Sequence, residues 1–323
     1  MKMGDRFIAI RSDEGTGLYL FDTDNGDIKV TIDHYSQGPD EYESITDFDI
    51  QDGRYVKIMD RQNASINYYD IESADIVKSE HLPFSADRFS QYDTGRFVFY
   101  QNPMTATLND EEYQYKFILT DENFNVIERS VSWDMESEHH QPRVQLDLGN
   151  MFYPSGGGVI YSQWDNDSLY TISGDSVYFS KIYDFGSQNR KYPDEPFIDL
   201  NEILNYYIYE NEDFVGMSQG MLSYGDYKLS NFYSDGSIFA IKEHNEEEQP
   251  QVIRHFKEPE SGLPLPPPRL SRGETIWAAI DHDFAEQIIS NYEVDGNTAY
   301  AELLNEISDL EKKPHLVSYQ LKN

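Results

Sequence analysis

The sequence predicts an all-β fold, a six-bladed β-propeller with four-stranded antiparallel blades and short helical insertions. Segments of strand length in which apolar and polar residues alternate recur along nearly the whole chain. Gly, Asn, Asp or Ser separates them, which is typical of short antiparallel strands joined by tight turns. The strand pairs also recur as a unit. Each unit has a turn after a strand, and the four turns begin at Asp22, Asp70, Asp121 and Ser173, with successive spacings of 48, 51 and 52 residues. A repeat of this length is typical of propeller blades.

The chain is expected to form one propeller domain over residues 1–323, and two kinds of segment interrupt its strand pattern. Apolar residues at helical spacing predict short helices over residues 198–207 and 300–310. The proline-rich run 263–270 predicts an extended loop, because proline cannot donate a hydrogen bond to a sheet ladder. The six blades are then centred near residues 6–32, 45–82, 87–133, 144–185, 214–256 and 272–321.

Charge and composition exclude several classes of function. The chain has 25 Lys and Arg against 59 Asp and Glu, a formal net charge of −34, which repels nucleic-acid phosphates and anionic lipid surfaces. The longest apolar run, residues 276–280, is too short to span a membrane. No cysteine is present, which excludes disulfides, cysteine nucleophiles and zinc–thiolate sites. Aromatic residues make up 14% of the chain, which argues for a folded protein, and we expect a monomer.

A turn motif near residue 40 carries a family resemblance. The segment Gln37-Gly38-Pro39-Asp40-Glu41-Tyr42 precedes a strand with alternating acids, Asp47-Phe48-Asp49, and a strand that ends in Ile58-Met59-Asp60. With these motifs the chain resembles six-bladed, NHL-like β-propeller proteins of bacterial cell envelopes, which are often lipoproteins. The resemblance implies the same fold and an envelope location, and it implies no particular activity.

The start of the chain differs from that family. Its members usually begin with a lipoprotein signal and a further strand or two before the region that corresponds to residues 6–10, and both are missing here. We therefore expect one terminal blade to lack a strand. The ring should close by packing, with at most a short pairing from the N-terminal residues.

Asp40, Glu41 and Tyr42 are the candidate ligand-binding residues. In a functional interpretation they lie on a loop at the mouth of the central tunnel, where they would meet a ligand. In a structural interpretation, Gly38-Pro39 supplies a sharp turn between blades, and this interpretation is favoured because the turn chemistry explains most of the motif.

Asp22, Asp24 and Asp27 are the candidate metal ligands. Their alternating spacing around Asn25-Gly26 resembles the start of a calcium loop, so weakly bound Ca²⁺ is the one cofactor considered. No Glu follows at the twelfth position of the loop, and Asn-Gly is a strong hairpin signal, so a turn is favoured. Asp165-Asn166-Asp167 is a weaker case of the same pattern.

The histidines give no convincing catalytic site. His139 and His140 are adjacent and would point to opposite faces of a strand, so a solvated loop is favoured. Asp281-His282-Asp283 could pair a base with an orienting carboxylate, but no Gly-x-Ser-x-Gly nucleophile motif accompanies it, and we expect a loop there. The sequence contains no Gly-x-Gly-x-x-Gly or P-loop motif for phosphate binding, no His-Glu-x-x-His motif of zinc proteases and no basic cluster.

Three functions remain open from the sequence. The leading one is a non-catalytic binding propeller of the cell envelope with an unknown protein or carbohydrate partner. The alternative is a hydrolase or lyase that acts on a sugar or peptide through carboxylates and Tyr at the tunnel mouth. A purely structural role in a larger assembly would show as a large exposed apolar patch.

Overall fold

Six antiparallel sheets follow one another along the chain, which confirms the six-bladed propeller. Among the residues that the structure describes, five sheets have four strands and the sixth has three. The computed structural model describes residues 1–12, 15–34, 42–50, 53–101, 115–132, 151–155, 157–163, 166–186, 215–234, 237–244, 250–292, 294, 298–309 and 314–321.

The strands of each blade are consecutive in the sequence. Blade one contains β1 (Lys2–Met3), β2 (Phe7–Arg11), β3 (Leu18–Asp22) and β4 (Ile28–Ile32), and blade two contains β5 (Asp47–Asp49), β6 (Tyr55–Asp60), β7 (Ser65–Asp70) and β8 (Ile76–His81). Blade three contains β9 (Arg88–Asp93), β10 (Arg96–Tyr100), β11 (Tyr115–Thr120) and β12 (Val126–Ser132), and blade four contains β13 (Phe152–Ser155), β14 (Gly158–Gln163), β15 (Asn166–Ser173) and β16 (Ser176–Ile182). Blade five contains β17 (Gly216–Tyr224), β18 (Tyr227–Ser234), β19 (Ser237–Glu243) and β20 (Gln251–Ile253), and blade six contains β21 (Leu270–Arg272), β22 (Thr275–Ile280) and β23 (His315–Tyr319).

The first strand of each blade is the innermost one. Contacts between successive blades join β5 to β9, β9 to β13, β13 to β17 and β17 to β21. Aromatic side chains fill the spaces between blade faces. Phe84 and Phe99 meet edge to face at 5.0 Å between ring centroids, and Tyr100 and Tyr161 stack at 5.2 Å across blades three and four. The high aromatic content of the chain therefore supplies interblade packing.

The acids that mark the sequence repeat are turn residues. Asp22, Asp70 and Asp121 lie at the end of the third strand in blades one to three. In each case the carboxylate accepts the backbone N–H two positions further on, at 2.9 Å. A residue with positive φ follows in each turn and lets the chain reverse (Gly26, Ala74 and Phe124). The same turn thus joins the third strand to the fourth in three blades of this chain.

The ring closes by packing between blades one and six. The short strand β1 pairs with β2 and completes blade one, and it does not pair with blade six. Ile8 of blade one and Trp277 of blade six belong to one buried cluster, and the Arg272 guanidinium donates a hydrogen bond to the Gly4 carbonyl. Among the described residues, blade six is the blade with three strands, and its contacts with blade one are made by side-chain packing and by the Arg272 hydrogen bond.

Two helices lie between β22 and β23. Helix α1 spans His282–Asn291 and helix α2 spans Ala299–Asp309. Helix α2 was expected, whereas the prediction of a loop at Asp281-His282-Asp283 is wrong. Asp281 is the N-cap residue of α1, and its carboxylate accepts the Phe284 N–H at 2.7 Å, which starts the helix there.

Some predicted features fall outside the described residues. These are the helix over 198–207, Asp165, and the pair His139 and His140. The proline-rich run lies outside the sheets except for one isolated bridge from Pro264 to Lys257 and its last residue, Leu270, which begins β21. No helix in the described part of the chain is long and apolar enough to cross a membrane.

Candidate functional site

The predicted metal ligands lie in the hairpin between β3 and β4. Arg6 donates to Asp22 Oδ2 from Nη2 at 2.6 Å and from Nε at 3.0 Å, while Asp22 Oδ1 accepts the Asp24 N–H. The bond from the Asp24 amide, followed by the contact with Arg6, holds the pKa of Asp22 below its usual range. The Asp27 carboxylate accepts from the Asn25 side chain at 2.8 Å.

The Asp22 and Asp27 carboxylates therefore take part in turn contacts, and the exposed Asp24 carboxylate lies 3.9 Å from Arg6 Nε. Among the described residues, no group of three or more His, Cys, Asp or Glu side chains is placed to hold a metal ion. Calcium binding by Asp22, Asp24 and Asp27 stays a prediction.

Tyr42 is the described member of the predicted ligand-binding trio, because Asp40 and Glu41 fall outside the described residues. Its side chain is fully buried, and its hydroxyl donates to the Thr16 carbonyl at 2.6 Å. Burial raises the pKa of the Tyr42 phenol, so the group stays neutral and remains a donor. The contact ties the turn before blade two to blade one, and a role of the trio in ligand binding stays a prediction.

The alternating acids of β5 join two blades near the propeller axis. Asp47 Oδ2 accepts the Phe89 N–H at 2.9 Å, and Asp49 Oδ2 accepts the Gln91 N–H at 2.7 Å. The Lys2 ammonium lies 3.1 Å from the Asp47 carboxylate. These carboxylates replace the missing ladder between the innermost strands β5 and β9, so the Asp47-Phe48-Asp49 pattern has a structural purpose that sequence reasoning did not assign.

A groove lies at the outer side of blades five and six. Its volume is about 860 Å³, which is in the range of small-molecule and short-peptide sites. We call it the interblade groove. Its walls are formed by β20, the segment 255–259, one face of α2, and the consecutive residues 317–321 of β23 and its continuation.

The interblade groove is lined by two lysines and a histidine in a strongly acidic protein. Lys242, His255 and Lys257 line it, together with one acid, Glu258. Glu258 is already engaged, because its Oε2 accepts the Ser261 N–H at 2.6 Å and the Ser261 hydroxyl at 2.7 Å. Within the residues that the structure describes, neither the His255 nor the Lys257 side chain forms a hydrogen bond or an ion pair, and both residues are exposed. The groove therefore offers positive charge to a ligand.

Two tyrosines give the groove rigid walls. The Tyr300 hydroxyl donates to the Pro264 carbonyl and the Tyr319 hydroxyl donates to the Pro266 carbonyl, both at 2.8 Å. Burial raises the pKa of both phenols, so they stay neutral donors. The Pro264 and Pro266 carbonyls of the proline-rich run thus hold the two tyrosine hydroxyls in place.

Sequence reasoning missed this site. One signal could have indicated it, because Arg254, His255 and Lys257 place three basic residues within four positions of an acidic chain. Two of these three residues, His255 and Lys257, line the groove.

Comparison with known proteins gives a family and a fold. The model of the family described as "Domain of unknown function (DUF4934)" matches residues 1–261. A crystal structure of a Bacteroides fragilis protein, described as a candidate exported protein, is similar with a TM-score of 0.72 and 16% identity, covering 99% of this chain and 89% of that one. A DUF4221 family member from Bacteroides vulgatus has a TM-score of 0.53 and 10% identity, covering 98% and 90%. No curated protein matches the sequence.

Proposed function

Since the chain belongs to the DUF4934 family, whose description assigns no activity, we propose a function from the geometry of the site: a non-catalytic, ligand-binding propeller that takes an anionic partner in the interblade groove. The observation that carries the proposal is the exposed Lys257 side chain, which lines the groove together with Lys242 and has no hydrogen-bond or ion-pair partner among the described residues. Positive groups that a fold leaves uncompensated are available to a negatively charged ligand.

The axis of the propeller supports binding rather than catalysis. The carboxylates described there are held in structural contacts, since both oxygens of Asp49 accept backbone N–H groups and Asp47 is bound to Lys2 and Phe89. A hydrolase of the alternative type needs one carboxylate that exchanges a proton and a second that faces the substrate. No described observation favours such a pair, so the binding function is the one we propose.

The proposed setting is the bacterial cell envelope. The similar structure from Bacteroides fragilis is described as that of a candidate exported protein, and the sequence resembles envelope propellers. We propose that the protein acts there as a monomer, because a net charge of −34 on each copy disfavours association with a second copy.

The test is a binding screen with a charge-reversed groove. Acidic peptides, anionic oligosaccharides and neutral counterparts are titrated into the protein and into the variant Lys257→Glu, and binding is measured by calorimetry. The matched control is Lys29→Glu, which reverses an exposed lysine on β4 of blade one. We expect one anionic class to bind, with at least about tenfold weaker binding to Lys257→Glu and no change for Lys29→Glu. Absence of binding by every anionic probe, or turnover of a probe, would overturn the proposal.

A further inference from the structure

Blade six has an open position for a fourth strand. Within the described residues, its third strand, β23, pairs only with β22, whereas the other five blades each have four strands. The third strands of blades one to three are almost wholly buried, but β23 has no buried residue. The outer side of β23 therefore lacks the strand that occupies this place in the other blades.

The interblade groove lies along this free edge. Successive residues of a strand point their side chains to opposite faces of the sheet, so a groove over a sheet face contacts every second residue. The interblade groove instead contacts three consecutive residues of β23, Val317 to Tyr319, and the two residues that follow the strand. It therefore runs beside the strand, where alternate residues direct their backbone N–H and C=O groups outward.

We propose that the interblade groove binds an extended acidic peptide of a partner protein, which pairs with β23 as the fourth strand of blade six. The inference rests on the proposed function and names its ligand class. Addition of a strand to a sheet edge gives affinity through backbone hydrogen bonds, and side-chain pockets give specificity. An extended acidic peptide uses the unpaired edge of β23 and the basic lining together. Beyond the strand, Leu321 is already held by Tyr224, whose hydroxyl accepts the Leu321 N–H at 2.9 Å, so the pairing is assigned to residues 315–319.

The lining specifies the pattern of the peptide. Apolar side chains contribute part of the walls, among them Ile253, Phe256 and Leu303, and the basic side chains Lys242 and Lys257 contribute another part. A strand presents alternate residues to opposite sides. A peptide that alternates apolar and acidic residues meets both kinds of wall, and five residues of it extend along about 17 Å of edge.

The probe is a capped six-residue peptide that alternates glutamate and valine. It is titrated into the full chain, and hydrogen exchange of residues 315–321 is followed with and without peptide. We expect binding together with slower exchange of this segment.

Two comparisons test charge: a lysine–valine peptide, and the variant Lys257→Glu with Lys29→Glu as control. Both lysine–valine peptide and Lys257→Glu should show at least about tenfold weaker binding, and Lys29→Glu should bind as the unaltered protein does.

Backbone methylation tests the pairing itself. Two versions of the glutamate–valine peptide carry N-methyl groups on either the odd or the even residues, so each blocks the N–H groups of one edge. Since only one edge faces β23, one version should lose at least about tenfold in affinity and the other should retain binding. Equal binding of both versions, or binding without protection of 315–321, overturns strand pairing.

The outcomes separate this inference from the proposed function. Binding of an anionic oligosaccharide without binding of the peptide overturns the acidic strand and leaves the binding function in place. Failure of every anionic probe overturns both. Protection of residues 315–321 that rises with protein concentration in the absence of peptide, together with dimers in sedimentation, would identify a second copy as the occupant and also overturn the inference.

Discussion

Asp47 and Phe89 belong to neighbouring blades, and the Phe89 N–H donates a hydrogen bond of 2.9 Å to Asp47 Oδ2. The Lys2 ammonium of blade one contacts the same carboxylate at 3.1 Å and the Phe89 carbonyl at 3.2 Å. Three blades thus meet at a single buried carboxylate. In the described part of the ring, this contact joins innermost strands that share no ladder, so it helps set the angle between blades.

Removal of this carboxylate should destabilise the protein strongly. In Asp47→Ala the buried Lys2 ammonium and the Phe89 N–H both lose their carboxylate partner, and breaking a buried pair in this way costs about 3–5 kcal/mol. The free energy of unfolding, measured by urea titration, is the readout. The exposed acid Asp75 gives the matched control, since Asp75→Ala should change stability by less than about 0.5 kcal/mol. Equal effects of the two substitutions would contradict the role of Asp47.

The repeated turn acid should make a smaller contribution. Asp70 accepts the N–H groups of Glu72 at 2.9 Å and Ser73 at 3.2 Å. Asp70→Ala removes both bonds near solvent and should lower the free energy of unfolding by about 1 kcal/mol. Asp70→Asn keeps an acceptor oxygen and should recover most of the loss in the same urea titration. An alanine variant as stable as the unaltered protein would show that the turn forms without its acid.

Local signals explain why the fold was predictable and the groove was not. Asp22 and Asp70 act within two residues of their own positions, so the repeat can be seen in a linear sequence. The groove brings together residues that are far apart in the sequence, such as Lys242 and Tyr319, and a pattern over neighbouring positions cannot show that they meet. The start of α1 was missed for another reason, because Asp281 is one acid among 59 and its capping role depends on the helix that follows.

Acid should remove the contribution of Asp22 to stability. The folded pKa of Asp22 lies below the unfolded value of 3.8, because of the Asp24 amide bond and then Arg6. Its contribution is therefore complete above pH 3.8 and is lost as the pH falls through the lower folded value. Burial raises the pKa of Asp49, so that group alone favours folding as the pH falls and opposes the effect of Asp22.

The variant Asp22→Asn isolates this effect. We expect it to be less stable than the unaltered protein at pH 6, and the difference should shrink as the pH falls below 3.8. Urea midpoints between about pH 2.5 and about pH 6, a range that covers about one unit below and about two units above the ordinary Asp pKa, provide the measurement. A stability difference that is independent of pH would mean that the lost contact does not depend on the charge of Asp22.

Added salt should raise the melting temperature of the whole protein. A net charge of −34 on one propeller gives mutual repulsion, and sodium chloride relieves it by screening. Calcium or magnesium should add a modest further increase at matched ionic strength, because divalent cations associate loosely with an acidic surface, and a chelator should remove that increase. Thermal melts with sodium chloride, calcium and chelator provide the comparison.

A large calcium shift that saturates at micromolar ion would instead indicate a specific site, and Asp22, Asp24 and Asp27 would be substituted first. No response to either salt would contradict the repulsion argument, since the carboxylates would then be too well paired or separated for it to matter.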